Sequence, residues 1–313
     1  MVTLIAASLP GLAALGALLF TWMQVAQASK ELRISESGQI TSRFNAAIGN
    51  LGSQSLDVRL GGIYALQRIM EDSARDHPAV VSVLAAFAQR HAGSSTKSLK
   101  EPLDSAQTHE PSADVHAAIA TLARRRPERD RGTVIDLSKA DLRGLYFAEK
   151  APIRLPGADL SEADVRSGYL YGADLRKAVL RYANLDQAYL DDANLTGADL
   201  AGASLWAANL NSANLRGADM TCGAQVIGSV VGADCVKLQS AYLTGADLRN
   251  TKMSDADLRY ATLKGADLRG ADLSRADLSH ADLTKADFRD AKLNGAKLKG
   301  AKQTGARGLH QQG

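Results

Sequence analysis

From Leu160 to about Leu298 a leucine or its substitute returns at every fifth residue, with an alanine two places before it. Ala158-Asp159-Leu160, Ala173-Asp174-Leu175, Ala198-Asp199-Leu200, Ala246-Asp247-Leu248 and Ala271-Asp272-Leu273 show the pattern. A short internal period constrains architecture more than any other sequence feature. Five residues suit neither ordinary template. On an α-helix, at roughly 100° per residue, successive leucines step by about 140° and smear round the cylinder. On a flat strand an odd period sends each successive leucine to the opposite face. Every leucine stays inside if the chain turns a corner once per repeat. The result is a wound coil whose narrow interior holds leucine and alanine, with Asp, Asn, Ser, Thr and Gly at the turns.

These A(D/N)LxG units resemble the pentapeptide-repeat family. The resemblance implies a mainly β fold, a right-handed quadrilateral β-helix with four pentapeptides per coil. Six or seven coils at about 4.8 Å spacing would give a rod roughly 30 Å long. Each inward leucine contributes roughly 1.5–3 kcal/mol of burial, and the ends need caps because each coil is held by its neighbours.

Residues 1–28 read as a transmembrane helix. Met1 to Ser29 carries no charged side chain, and Val2 to Ala26 is mostly Leu, Ala, Ile and Val, enough for the ~20 residues of a span. Trp22 sits where an interfacial ring would. Lys30 and Arg33 follow, so the positive-inside rule makes this a single-pass cell-membrane protein with its carboxyl-terminal region in the cytoplasm. The rival is a cleaved signal peptide: Ala26-Gln27-Ala28 resembles a cleavage site, but no Lys or Arg precedes the apolar run.

Residues 29–92 form a helical module. Leu32, Ile40, Phe44, Ala47, Ile48 and Leu51 recur at helical spacing, continuing the spanning helix, and Leu51-Gly52-Ser53 breaks it. Asp57 is the expected cap of a helix over 58–69, and Pro78 starts another running to Ala88. The run DVRLGGIYALQRI resembles a segment joined to pentapeptide repeats in bacterial membrane-anchored proteins, and loosely a HEAT-type helix. Gly61-Gly62 suggests close helix packing. Residues 93–132 comprise a Ser/Thr/Lys/Pro-rich linker and a helix, Ala113 to Arg126, that covers the first coil. Arg124-Arg125-Arg126 suits a helix carboxyl end or a phosphate.

The repeat domain spans 133–307, with a tail over 308–313. Register fails between Arg143 and Leu155, which reads as a loop. It slips again within Thr221 to Ser240, where we expect a loop or bulge and place the slip between Cys235 and Leu238. Two cysteines, Cys222 and Cys235, do not make a disulfide framework, and fit a reducing compartment or indifference to redox state.

With residues 20 apart stacked, Arg249, Arg269 and Arg289 form a column beside Asp247, Asp267 and Asp287. That is a compensated ladder or an anion-binding stripe. Tyr169 and Tyr189 stack likewise and, with outward Tyr171, Tyr182 and Trp206, offer a candidate partner surface. From Asp159 to Asp219 there are 9 acidic and 5 basic residues, net −4; from Lys237 to Arg307 there are 9 acidic and 14 basic, net +5. Lys292, Lys297, Lys299 and Lys302 crowd the last coil, where repulsion would oppose edge stacking.

No cofactor, metal or catalytic residue is expected: the histidines are scattered, and no phosphate loop or nucleophile elbow occurs. The expected role is a membrane-anchored, non-catalytic scaffold that presents the rod to an unknown protein partner at the cytoplasmic face. Homodimerisation through a solenoid end stays open. The alternative is a DNA-mimicking rod that binds a type II topoisomerase, as family members do. Such mimicry uses a strongly negative surface, whereas Asp136 to Arg307 holds 22 acidic and 23 basic residues. Nucleic acid itself is an improbable ligand at a net charge of +3.

Overall fold

A computed structural model describes residues 2–93, 110–147, 153–227 and 230–309, with side chains left undescribed over 2–16, 32–37, 224–227 and 230–234. Four helices precede the repeats: α1 (Val2–Leu51), α2 (Leu56–Asp72), α3 (His77–His91) and α4 (Ala113–Arg124).

Helix α1 is continuous across the expected boundary at residue 28. Leu18, Leu19, Phe20, Trp22, Met23 and Val25 are exposed on it. Among the described residues no helix is long and apolar enough to cross a membrane. Much of the stretch expected to span, residues 2–16, is described only in its backbone. The carboxyl-terminal end of α1 joins a small bundle through buried Ala47 and Leu51.

Helix α2 starts one residue before the expected cap. Ser55 occupies the N-cap position and Asp57 lies in the first turn, where its charge suits the helix dipole. Pro78 stands in the first turn of α3 as expected. The two glycines of α2 divide the role assigned to them. A Cβ on Gly62 would lie 2.9 Å from the Ala47 carbonyl oxygen and 3.0 Å from the Asn50 Cβ, while one on Gly61 would meet nothing within 4 Å. Close packing against α1 therefore rests on Gly62 alone. Arg59 ties the bundle together. Its Nε donates to the buried Asp114 carboxylate of α4 at 2.5 Å, and its Nη1 to the carbonyls of Ser53 and Gln54. Burial works against the charge on Asp114, but hydrogen bonds from Ser112, Arg59 and the Val115 N–H outweigh it and lower its pKa.

The repeats wind into a four-walled coil. Parallel bridges join Asp159 to Val179, Asp164 to Asn184, Tyr169 to Tyr189 and Asp174 to Asn194, each 20 residues apart. We number the walls in chain order by these positions: the first carries Asp159, the second Asp164, the third Tyr169 and the fourth Asp174. Within a unit the geometry repeats. The leucine carbonyl accepts the N–H of the next alanine, as Leu160 does from Ala163 at 3.1 Å, closing a tight turn. The second residue of each turn has positive φ, for example Glu162 at 57° and Gly172 at 61°, which explains the recurrent glycine at that place. An Asp or Asn before the leucine typically accepts the N–H two residues on, as Asp159 Oδ1 does from Ser161. Leu175, Leu195 and Leu215 are fully buried, as are Ala173, Ala193 and Ala213. The expected solenoid, with its interior of leucine and alanine, is present.

Two departures from the 20-residue offset correct the sequence reading. In the first coil Asp136 pairs with Asp159 and Asp141 with Asp164, offsets of 23. Leu145 still accepts from the Tyr169 N–H, so register holds past Arg143. It resumes by Ile153 and Arg154. The excursion is shorter than the loop expected over 143–155, and its residues 148–152 lie outside the described ones.

Farther on, Ser204 pairs with Lys237, an offset of 33. The slip comes before Cys235 rather than after it. The extra 13 residues (33 − 20) form an antiparallel hairpin, β1 (Gly223–Ile227) paired with β2 (Val230–Asp234). A disulfide between Cys222 and Cys235 closes its base. Two cysteines thirteen apart make no framework, but they can staple an insertion whose ends must both return to one corner of the coil.

Helices α3 and α4 cover the first coil. The Gln89 side chain donates to Asp136 and Ser138, and the Arg154 N–H donates to the Ala123 carbonyl at 2.8 Å. Arg125 is buried, with its Nε on both oxygens of Asp130 and its Nη1 on the Leu122 and Arg154 carbonyls. It is thus spent on holding cap to coil. His77 completes the junction, with Nε2 3.0 Å from Asp130 Oδ1 and Nδ1 3.2 Å from the Met70 carbonyl oxygen.

Candidate functional site: an aromatic wall

The third wall differs from the other three in what its ladder carries. Tyr169, Tyr189, Asn209, Tyr242, Thr262, Asp282 and Lys302 succeed one another along it. Tyr146 lies one coil before Tyr169, because the Leu145 carbonyl takes the Tyr169 N–H as the Gly168 carbonyl takes that of Tyr189. Trp206 and Tyr260 stand on the corner between the second and third walls. Tyr171 stands on the corner between the third and fourth. Among the described residues, every exposed aromatic side chain of the solenoid lies on this wall or its two corners.

The rings are arranged by the coil spacing. Tyr169 and Tyr189 stack with centroids 4.7 Å apart and planes 13° from parallel, close to the separation of neighbouring ladder strands. Tyr260 stacks on His280 at 5.0 Å and 7°. Tyr171 is 66% exposed; its hydroxyl bonds to Asp192, which raises its pKa. Asp186 accepts from Ser204 Oγ and the Trp206 N–H, and Asp191 from Asn211 Nδ2. The corner carboxylates are thus ordered, and among the described residues they make no ion pair, although the charge of Asp186 reaches Arg166 and helps raise its pKa.

Of the five aromatic residues expected to form a partner surface, Tyr169, Tyr171, Tyr189 and Trp206 come together here. Tyr182 does not. It sits on the corner between the first and second walls, half-buried, with the hairpin folded back so closely that Gly223 has no room for a Cβ beside its ring. The Arg181 guanidinium lies over the ring, 5.9 Å from its centroid. The sequence reading missed Tyr242 and Tyr260. Counting in twenties fails across the insertion, so their alignment with Tyr189 and Trp206 emerges only once the offset of 33 is known.

The arginine column expected at Arg249, Arg269 and Arg289 forms, and each guanidinium is engaged. Nε and Nη2 of Arg249 grip the two oxygens of Asp247, and Arg269 and Arg289 grip Asp267 and Asp287 in the same way. This is the compensated ladder. Among the described residues no group of three His, Cys, Asp or Glu is placed to hold a metal ion.

The family model for pentapeptide repeats matches in 8 copies, over residues 158–197, 188–221, 237–275 and 271–307. HetL, a pentapeptide repeat protein involved in heterocyst differentiation regulation from the cyanobacterium Nostoc sp. strain PCC 7120, is 36% identical over 55% of this chain and 80% of its own, with a TM-score of 0.23. The chain belongs to the pentapeptide-repeat family. Rfr23, a pentapeptide repeat protein from the cyanobacterium Cyanothece 51142, is 31% identical over 33% of this chain, with a TM-score of 0.27. This chain spans 62% of Rfr23. QnrB1, a plasmid-mediated fluoroquinolone resistance protein, is 22% identical over 50% of this chain and 80% of its own, with a TM-score of 0.32. No curated protein matches the chain. The helical cap, the first-coil departure and the hairpin all fall outside the segments that the pentapeptide-repeat model matches.

Proposed function

We propose that this pentapeptide-repeat protein is a non-catalytic scaffold, anchored to a membrane through the apolar start of α1, and that the third wall is its protein-docking face. The observation that carries the reading is that, among the described residues, the exposed aromatic rings of the solenoid are confined to that wall and its corners. Exposed rings grouped on a rigid face are what protein interfaces use as anchors. The test is purification of the full chain from detergent-solubilised membranes, with and without Tyr169→Ser, Tyr189→Ser and Trp206→Ala together. Loss of co-purifying protein supports the reading, and an unchanged set removes the wall from it.

For orientation, Lys30 and Arg33 after the apolar run favour a cytoplasmic rod. A disulfide persists in a reducing cytoplasm only where it is shielded or acts as a redox-sensitive clamp. Alkylation of Cys222 and Cys235 in intact cells, before and after permeabilisation, reports both side and redox state. Topoisomerase binding by DNA mimicry has less support, because acidic and basic residues nearly balance along the rod.

A further inference from the structure

The charges that border the third wall on its fourth-wall side change sign along its length. Toward the amino-terminal end Asp191 and Asp192 stand on the corner with the fourth wall, while the corner with the second carries Arg143 and Arg166, each gripped by an aspartate, and then Asp186. Beyond Tyr242 the same corners carry Lys299 on the second-wall side, and Lys264 and Lys285 on the fourth-wall side. Most other solenoid aspartates pair with an Arg or Lys of their own or the adjacent coil, as Asp247, Asp255, Asp272 and Asp277 do. The three corner aspartates, Lys285 and Lys299 make no ion pair among the described residues. The hairpin leaves the coil at the corner between the first and second walls, away from this face.

We propose that the partner of the third wall is a second copy of this chain, docked wall against wall with the two rods antiparallel. The proposal rests on the reading of this wall as a docking face. An antiparallel two-fold sets each corner against the same corner of the partner with heights reversed. With the axis at the coil of Tyr242, Asp191 and Asp192 lie two coils to one side and Lys285 two coils to the other, so each pair meets the other copy's opposite charge. Asp186 falls opposite His280, and Arg166, its charge held by Asp164, falls opposite Lys299. Trp206 and Tyr260, one coil on either side of the same level, meet each other across the axis, and Tyr169 comes opposite Lys302, a cation over a ring.

A parallel pair would instead set one corner against the other at equal height, placing Asp186 against Asp191 and Arg259 against Lys264. Like charges in register disfavour that arrangement. The isologous antiparallel pair closes on itself and covers rings that otherwise face water.

Sedimentation velocity on the detergent-solubilised full chain tests this. Asp191→Lys with Asp192→Lys, and separately Lys264→Glu with Lys285→Glu, should each weaken self-association at least about tenfold. An equimolar mixture of the two variants should recover the dimer as a heterodimer. Rising salt should dissociate the wild type. A wild type that stays a protomer at its solubility limit overturns the proposal, as does a dimer indifferent to both reversals or not recovered on mixing. Loss of the dimer with Leu298→Lys alone would assign association to the coil end and overturn it equally. If the wild type is a protomer while the aromatic substitutions still release another captured protein, the docking face stands and the second copy falls.

Discussion

At the scale of single residues, the fold depends on where a side chain has room and where a carboxylate has a partner. Gly62 has no room: Gly62→Val would press into the α1 backbone and should destabilise the helical bundle by roughly 1–3 kcal/mol. Gly61→Ala, in open space one residue earlier, should be neutral or stabilising by about 0.5–1 kcal/mol. Denaturant melts of the two variants check the pair. The Asp-x-Arg units set the response to acid. Arg289 holds Asp287 at about 2, below the ordinary 3.8, and Arg176, Arg249 and Arg269 lower Asp174, Asp247 and Asp267 in the same way. A carboxyl that titrates lower in the fold than in the unfolded chain adds stability that is complete above its unfolded pKa. That stability is lost as pH falls toward the folded value. The rod should therefore weaken between pH 3.8 and about 2. Replacing Asp247, Asp267 and Asp287 by Asn should flatten that part of a stability-against-pH curve followed by circular dichroism.

At the scale of elements, the decisive contact is the junction of helical cap and first coil. Asp130 is shared by Arg125 and His77, and Arg125 reaches across to the carbonyl of Arg154. The Arg125 side chain is 1% exposed, so Asp130→Ala would strand a buried cation and should cost about 3–5 kcal/mol. Thermal unfolding checks the size of the loss. Hydrogen exchange checks its location, with protection falling first in α3, α4 and the coil at Asp136 while the coils beyond Lys237 keep theirs. The hairpin is tied in a different way. Met220 and Lys237 remain on the ladder through the carbonyls of Lys252 and Ala203, so the coil closes beneath the insertion and the disulfide holds the hairpin rather than the rod.

At the scale of the whole molecule, a stack of coils is stabilised by neighbours, and an uncovered end exposes both ladder groups and apolar side chains. The two ends are treated differently. Helices α3 and α4 cover the first. The last carries Lys292, Lys297 and Lys302 over Asp272, Asp277 and Asp282, and Gln303 takes the place of an inward leucine. A chain starting at residue 133 should therefore aggregate through its bared first coil, whereas one ending at residue 309 should keep the solution behaviour of the full chain. Light scattering of the two truncations checks this asymmetry.

Much of this was legible in the amino-acid order, because a five-residue period with alanine two places before leucine admits few ways to keep every leucine dry. The period dictated the solenoid, the stacking of Tyr169 on Tyr189 and the Asp–Arg column at Arg249, Arg269 and Arg289, all of which depend on offsets within unbroken register. What lies across a break in register was decided by tertiary structure. The hairpin's length determines that Tyr242 continues the ladder of Tyr189, that Tyr260 shares a corner with Trp206, and that Tyr182 is covered. The pairing of Cys222 with Cys235 and the burial of Arg125 arise likewise, since both depend on where an insertion or a helix returns to the coil, and no repeat encodes that.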